Sequence, residues 1–190
     1  MSFPRCFLPI TSTTIEDADK LDIRCTDRCG PNKCFISVRG YFKSPVIFSP
    51  EDPLDVAFID PAHKNILVNI DADTKLHSIL QSIQAKCIAS SPDPSKTQPF
   101  LKQSSDGRVQ IRLKTQFSKW KDDNGTLIST DEALADHRIV LKTWIIEMYR
   151  LWRQRDGTWH VVWALNNGRV APAKQEPEES AGDELDSIEW

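Results

Sequence analysis

The feature that most constrains the fold is a long apolar segment late in the chain, Arg138–Gly168. It contains two stretches rich in β-branched and aromatic residues, RIVLKTWIIEMYRLWR and TWHVVWALNNG, separated by QRDG. Asp-Gly is a preferred dipeptide of tight hairpin turns. The first stretch is long enough to form a helix instead, but its β-branched content favours a strand. The segment therefore predicts one long strand that turns through Asp156-Gly157 into a second long strand.

An alternating pattern precedes this hairpin. In RVQIRLKTQF, apolar residues alternate with polar and basic ones over Arg108–Phe117. Because successive side chains of a strand point to opposite faces, one face is predicted to be core and the other basic. The Asn124-Gly125 dipeptide that follows is the strongest short hairpin signal, and it predicts that Phe117–Lys121 pairs with Thr126–Ile128.

One helix is predicted, over about residues 74–89. Asp73 or Thr74 can serve as its N-cap, and apolar residues then recur at the spacing of one helical face. These residues are Leu76, Ile79, Leu80, Ile83 and Cys87. The segment 90–99 carries three prolines and predicts a mobile loop.

The first part of the chain has weaker patterns. Short strands are predicted in Cys34–Phe42, Ala57–Asp60 and Asn65–Asp71, and the prolines of KSPVIFSPEDP break any helix. The whole pattern gives about seven to nine strands and one helix, which indicates a mainly β, small Greek-key barrel. The predicted domains are an N-terminal arm (1–24), which could instead be an edge strand, a barrel (25–170) and a disordered acidic tail (171–190).

Charge is divided unevenly along the chain. Residues 171–190 carry seven acidic residues against one lysine, a net charge of −6, although the whole chain carries only −3. The preceding residues are therefore net basic, and within Leu101–Val170 twelve lysines and arginines face eight acids. A basic body joined to an acidic tail indicates a surface for nucleic acid or membrane headgroups, with an internal competitor. The tail composition cannot bury enough surface to order itself.

Basic and aromatic residues are interleaved within the predicted barrel. Trp120 lies between two lysines, and Trp152 and Tyr149 accompany arginines in the long hairpin. Rings that stack with bases and cations that contact phosphates are what an unpaired nucleic-acid strand requires. Trp144, Trp159 and Trp163 alternate with apolar residues and are expected in the core instead. The candidate binding residues are Arg112, Lys114, Lys119, Trp120, Lys121, Lys142, Tyr149, Arg150, Trp152, Arg153 and Arg155.

Catalytic and metal-binding patterns are weak. Cys25, Cys29 and Cys34 are close enough to bind zinc, but the nearest fourth ligands, such as His63, are far away in sequence. Small buried thiols are the expected alternative. No phosphate loop, nucleophile elbow or metalloprotease motif is present. We therefore expect a non-enzymatic protein without a cofactor, and a zinc-dependent nucleic-acid enzyme is the remaining catalytic alternative.

A basic small barrel followed by an acidic tail with an aromatic last residue resembles the single-stranded DNA-binding proteins of bacteria, phages and large DNA viruses. The stretch from QIRLKTQF to TWHVVWAL looks like the C-terminal half of the phage and viral barrels. The resemblance implies an OB-like barrel and a tail tip that recruits replication proteins and competes with DNA. In this sequence the tail residues that match are Asp183, Glu184, Asp186, Ile188, Glu189 and Trp190.

The resemblance also sets expectations about partners and location. The partners would be single-stranded DNA and, through the tail, a polymerase, helicase or primase. The oligomeric state, monomer or homodimer, stays open. No signal segment or membrane span is evident, so an intracellular location is expected, at the host nucleus or site of viral DNA replication if the protein is viral. The alternative function is a protein–protein adaptor that presents aromatic hot spots, with the tail as a peptide ligand.

Overall fold

The computed structural model describes residues 6–9, 15–26, 33–38, 45–49, 52–135 and 139–172. It contains thirteen strands and three α-helices within these ranges. The strands are β1 (Cys6–Pro9), β2 (Ile23–Thr26), β3 (Lys33–Val38), β4 (Pro45–Ser49), β5 (Leu54–Asp60), β6 (Asn65–Ile70), β7 (Thr97–Gln98), β8 (Leu101–Gln103), β9 (Val109–Lys114), β10 (Lys119–Lys121), β11 (Leu127–Ile128), β12 (Ile139–Arg153) and β13 (Trp159–Pro172). The helices are α1 (Ile15–Asp19), α2 (Lys75–Ala89) and α3 (Thr130–Ala133).

Five of the strands close into a barrel. Around the barrel the order is β5, β6, β9, β13 and β12, and β12 pairs again with β5. All of these pairings are antiparallel except β9 with β13, which is parallel. Counted along the chain, this order is 1-2-3-5-4, the Greek-key arrangement of an OB-like barrel. The predicted fold class, a mainly β OB-like barrel, is confirmed.

The long hairpin predicted from Arg138–Gly168 is present as β12 and β13. The two strands pair antiparallel from Ile139–Pro172 at one end to Arg153–Trp159 at the other. Gly157 adopts φ 88° in the connecting turn, a conformation that favours glycine. Three register shifts interrupt the pairing. At each shift, the alternation between inward-facing and outward-facing side chains is interrupted. The hairpin at Asn124-Gly125 is also confirmed, since β10 pairs antiparallel with β11.

Helix α2 closes one side of the core. Thr74 is its N-cap, and its hydroxyl accepts a hydrogen bond from the backbone N–H of His77 at 3.3 Å. The five apolar residues of the predicted stripe are all buried. Helices α1 and α3 are single turns, and α3 begins with a capping box between Ser129 and Glu132. One long helix is therefore present, as the periodicity predicts.

Three segments differ from the sequence-based expectation. The proline-flanked segment expected only to break a helix forms β4, in which Val46 and Ile47 are fully buried beside β12. Within the segment predicted as an arm or an edge strand, β1 pairs parallel with β4 at the end of the strand order. The unpredicted element there is α1, which lies against α2, where Ser82 donates to Asp19 at 2.6 Å. The segment 90–99, expected as a mobile loop, contains a turn of 3₁₀ helix at Pro94–Lys96 followed by β7, because Thr97 is buried and its hydroxyl donates to Ser91 and to the backbone of Asp93.

Candidate nucleic-acid interface

Strand β9 has one buried face and one basic face, as its alternation predicts. Val109, Ile111 and Leu113 are buried, whereas Arg112 and Lys114 are exposed. In the pairing with β6, Leu67 lies opposite Arg112 and Asn65 lies opposite Lys114. These residues form one surface, since directly opposed residues of an antiparallel pair share a face. β6 and β9 are the second and third strands of the barrel, the face on which OB-folds bind oligonucleotides and oligosaccharides.

A β-bulge in β12 places two candidate binding side chains next to each other. Met148 pairs with Trp163 and Arg150 pairs with Val162, so Tyr149 is the extra residue. Met148 and Leu151 on either side are buried, and both Tyr149 and Arg150 therefore face outward. Without the bulge, adjacent side chains would point to opposite faces of the sheet, and one of these two would face the core.

The guanidinium group of Arg150 lies between two aromatic rings. Its Cζ is 5.1 Å from the ring centroid of Tyr149 and 5.1 Å from that of Trp152. Both distances are within the range of cation–π attraction. Tyr149 is 46% exposed and Trp152 is partly exposed, so the rings retain surface that a planar ligand can contact.

Two neighbouring cavities lie on this surface and together form what we call the basic groove. The first, of about 470 Å³, lies between β6–β9 and the β12–β13 hairpin. The second, of about 660 Å³, lies along β12 and β13 toward β10. Lys114 and Arg150 line both cavities. The cations of the basic groove are Lys102, Arg112, Lys114, Lys119 and Arg150, and its exposed or partly exposed aromatic residues are Phe117, Tyr149 and Trp152.

The cations of the basic groove outnumber the acids close to them. The pKa of Asp60 is nevertheless lowered, first by the hydrogen bond from the His63 backbone and to a smaller extent by the charge of Arg112. Within the described ranges, no ion pair joins any of the five to an aspartate or glutamate. Among the residues lining the two cavities, one is acidic, Glu147. The groove is therefore electropositive and suited to anionic ligands.

Trp120, predicted to stack with bases, belongs to the core. It is 1% exposed, whereas its neighbours Lys119 and Lys121 are exposed. β10 pairs with β13, and this pairing sets Trp120 opposite Gly168 on the buried side. The charged neighbours predicted an exposed ring. In a strand, however, successive side chains point to opposite faces, so both lysines can face solvent while the indole between them faces the core. In this structure Trp120 is not available for stacking.

Lys121 and Lys142 lie away from the basic groove. Lys142 forms an ion pair with Asp123 at 2.6 Å, and Arg169 also contacts Asp123. The hydrogen bond from Lys142, followed by the charges of Lys142 and Arg169, lowers the pKa of Asp123. Lys121 is opposite Arg169 in the β10–β13 pairing. These cations therefore surround the β10–β11 turn rather than the two cavities.

Arg153 and Arg155 lie at the tip of the long hairpin. With Trp152, Gln154 and Asp156 they line a separate open depression that shares Trp152 with the first cavity. Both arginines are exposed. The two arginines therefore add positive charge next to the basic groove, but they do not line either of its two cavities.

Trp144, Trp159 and Trp163 are buried, as predicted for core residues. Trp163 also contacts Phe100, with ring centroids 5.4 Å apart, beneath the first cavity. Its position makes it a support for the floor of the basic groove.

Several residues of the basic groove were not among the binding residues predicted from the sequence. Phe117 is 79% exposed at the edge of the second cavity, and Lys102 lies on β8 beside Gln110 of β9. An isolated phenylalanine flanked by polar residues is the signal that could have identified Phe117. His160 lines the first cavity, where burial, and secondly the charge of Lys102, lower its pKa.

The structure does not describe the side chains of two groups of predicted site residues. The tail residues Asp183, Glu184, Asp186, Ile188, Glu189 and Trp190 lie entirely outside the described ranges. Of the cysteines, Cys25 and Cys34 belong to β2 and β3 but their side chains are not described, and Cys29 lies outside the described ranges. The zinc hypothesis therefore stays a prediction. Within the described ranges no group of three or more His, Cys, Asp or Glu side chains could hold a metal ion.

In comparisons with known proteins, the fold is similar to that of phage single-stranded DNA-binding proteins. The matched structures are of the single-stranded DNA-binding protein from bacteriophage Enc34. One has 10% identity and a TM-score of 0.47, over 86% of this chain and 97% of that chain. The complex of that protein with single-stranded DNA has 9% identity and a TM-score of 0.47, over 80% and 97%. A C-terminal truncation has 11% identity and a TM-score of 0.48, over 83% and 97%.

No protein-family model and no curated protein sequence matches this chain. Among the described residues, no helix combines the length and the apolar composition needed to cross a membrane.

Proposed function

We propose that the protein binds single-stranded DNA in the basic groove. The observation that carries the proposal is the bulge in β12, which sets the Arg150 guanidinium between Tyr149 and Trp152 on the open face of the barrel. Stacking of one base on an aromatic side chain contributes about 1–3 kcal/mol, and cations beside the rings contact the phosphates. Phe117, Tyr149 and Trp152 supply the rings, and Lys102, Arg112, Lys114, Lys119 and Arg150 supply the charges.

An unpaired strand fits this arrangement better than a duplex does. The faces of bases within a duplex are covered by their stacked neighbours, so the rings of the basic groove can only contact bases that are unstacked. The role that follows is the coating and protection of unpaired strands during DNA replication and recombination, without catalysis. We propose that this takes place inside cells, at the site of viral or phage DNA replication.

The acidic tail is proposed to regulate this binding. Its charges would compete with phosphates for the basic groove, and its tip, ending in Ile188, Glu189 and Trp190, would recruit a polymerase, helicase or primase. Because tail and barrel are on one chain, the effective concentration of the tail would be in the millimolar range, on the order of that found for short flexible linkers.

The proposal predicts a salt-dependent preference for single strands. Neutralising several phosphates releases counterions, so the affinity of single-stranded DNA should fall steeply as salt concentration rises. Fluorescence anisotropy with labelled single-stranded and double-stranded oligonucleotides of one sequence, at several salt concentrations, measures both effects. Equal affinity for the two forms, or an affinity that does not change with salt, would contradict the proposal.

A protein–protein adaptor is the second candidate function. Leu127 is 69% exposed at the edge strand β11, outside the basic groove, and exposed apolar side chains also occur at protein interfaces. Replacing Arg150, Arg153 and Arg155 by alanine distinguishes the two functions. Under the proposed function the triple variant loses binding to single-stranded DNA, whereas an adaptor keeps most of its partner binding.

A further inference from the structure

An aromatic side chain outside the basic groove is exposed on β5. Phe58 is 57% exposed, although it belongs to a strand of the barrel and the next residue, Ile59, is buried. It lines neither cavity of the basic groove. Single exposed apolar residues are common on protein surfaces, so exposure alone assigns Phe58 no role. Its position relative to the groove decides what it can do.

A β-bulge turns Phe58 outward. In the β5–β6 pairing, Val56 and Phe58 oppose consecutive residues of β6, so Ala57 is the extra residue of β5. Val56 packs against the core, whereas Ala57 and Phe58 are both exposed. With regular alternation, Phe58 would point inward as Val56 does. A bulge therefore exposes a ring on β5, as the bulge in β12 does in the basic groove.

Phe58 lies in one row with two residues of the basic groove. It is opposite Leu67 of β6, and Leu67 is opposite Arg112 of β9. Directly opposed residues of antiparallel strands share a face, so the three side chains lie on the same outer surface. Leu67 and Arg112 both line the first cavity. Because neighbouring strands are about 4.8 Å apart, Phe58 lies about 10 Å from Arg112 across the sheet, one strand beyond the cavity.

This row combines the two kinds of group that an unpaired strand contacts. The ring of Phe58 and the partly buried Leu67 form an apolar surface, and the exposed Arg112 supplies a cation at its end. The acid on the same face of β5 is Asp60, whose carboxylate accepts a hydrogen bond from the backbone N–H of His63 at 3.1 Å and contacts its Nδ1 at 2.9 Å. No ion pair joins Arg112 to Asp60 in the described part of the chain.

We propose that Phe58 is a stacking position for one further base, and that a bound single strand passes from the first cavity over Leu67 to reach it. The continuity of the row with the cavity carries this inference, which rests on the proposed function. Every base has a face that stacks on an aromatic ring, so the position accepts any base. The bound strand is then longer than the basic groove alone can hold.

The closing experiment measures binding against strand length. Full-length protein is titrated with labelled oligodeoxythymidines of about four and about twelve nucleotides, within the range of site sizes of OB-folds. The shorter strand can occupy the basic groove without reaching Phe58, whereas the longer strand extends past it. Phe58→Leu keeps an apolar side chain but removes the ring. We expect this variant to bind the longer strand about five- to hundredfold more weakly, the loss of one stacked base, and the shorter strand as the wild type does.

Two further variants separate stacking from other causes. Phe58→Tyr retains a ring and should bind both strands with wild-type affinity. Leu127→Ala removes an exposed apolar side chain from β11, away from the row, and should change neither affinity. Thermal unfolding of each variant checks that the fold is retained.

Other outcomes overturn the inference. If Phe58→Leu weakens the binding of both strands by the same factor, Phe58 is not a separate position beyond the groove. If Phe58→Tyr loses as much affinity as Phe58→Leu, the ring does not stack. If Phe58→Leu binds both strands as the wild type does, Phe58 does not contact DNA and the inference alone fails. If the wild-type protein binds neither strand, the proposed function itself fails.

Discussion

Arg150 is held in place before any ligand arrives. Its guanidinium lies 5.1 Å from two ring centroids, and its Nε is buried without a hydrogen-bond partner in the described structure. A cation–π contact contributes about 0.5–2 kcal/mol, depending on how far it is desolvated. Because the planar group is already positioned, binding a phosphate costs it little conformational entropy. A lysine has no planar group to stack, so it would not reproduce this arrangement.

Also at the residue scale, His160 is expected to make the proposed binding of DNA depend on pH. Burial and the charge of Lys102 lower its pKa, and the smaller effect of Asp156 opposes them, so the neutral form of the His160 ring is favoured. Its Nε2 contacts Thr158 Oγ1 at 3.1 Å. A phosphate bound in the first cavity would favour the protonated ring, and binding would then be coupled to proton uptake.

We therefore expect the affinity for single-stranded DNA to increase as pH falls from 7.5 to 5.5. The increase should be about three- to tenfold, the effect of one added charge on a partly screened site. His160→Gln, which retains hydrogen-bonding groups but cannot titrate, is the control and should show a smaller increase. The hypothesis fails if both proteins show the same dependence in anisotropy measurements across this pH range.

At the scale of elements, β13 depends on a glycine between two indoles. Gly168 is opposite Trp120 of β10 on one side and Trp144 of β12 on the other. A Cβ at this position would lie 3.1 Å from Trp120 Cζ3 and 3.1 Å from Leu165 Cδ2. Both contacts are closer than side chains normally allow, and the core around them is fully packed.

Gly168→Ala should therefore lower the free energy of unfolding by about 1–3 kcal/mol, the usual cost of overpacking a core. Asn167→Ala, one residue earlier and exposed, is the matched control and should change it by less than about 0.5 kcal/mol. Urea denaturation followed by tryptophan fluorescence gives both values. Equal stability of the Gly168→Ala and wild-type proteins would show that Trp120 and Leu165 can shift to accept the methyl group without cost.

At the scale of the whole molecule, the barrel and the tail carry opposite charges. The tail that follows β13, residues 173–190, has a net charge of −6, and the cations of the basic groove have no ion pair with a described acid. Under the proposed function, the tail would act as a tethered competitor at an effective concentration on the order of millimolar, and it would reduce the apparent affinity of DNA for the groove. Added salt weakens attraction of the tail and of DNA alike.

A chain that ends at Lys174 should accordingly bind single-stranded DNA several-fold more tightly than the full-length protein at low salt. The difference should shrink as salt is added. Deleting Trp190 alone tests whether the aromatic terminus contributes beyond charge, because the number of acidic side chains is unchanged. If neither truncation alters DNA affinity or recruitment of a replication protein, the proposed role of the tail is wrong.

Short-range sequence patterns determined several of the strands and turns and the long helix of this protein. Alternation over Arg108–Phe117, the Asn-Gly and Asp-Gly turns and the apolar stripe of α2 each depend on residues close together in the chain, so they could be predicted. The tertiary structure alone decided which strands meet, because the β9–β13 and β12–β5 pairings that close the barrel join distant segments.

Pairing between distant strands also explains which side chains form the basic groove. Trp120 is buried because β13 covers it, and Tyr149 faces outward beside Arg150 because the β12–β13 register shifts there. Neither the burial of a three-residue strand nor the position of a bulge follows from the residues around it. The sequence alone thus determined that one face of β9 is basic and that basic and aromatic residues are interleaved in the long hairpin. Pairing between distant strands decided which of them form the groove, and brought Glu147 into it.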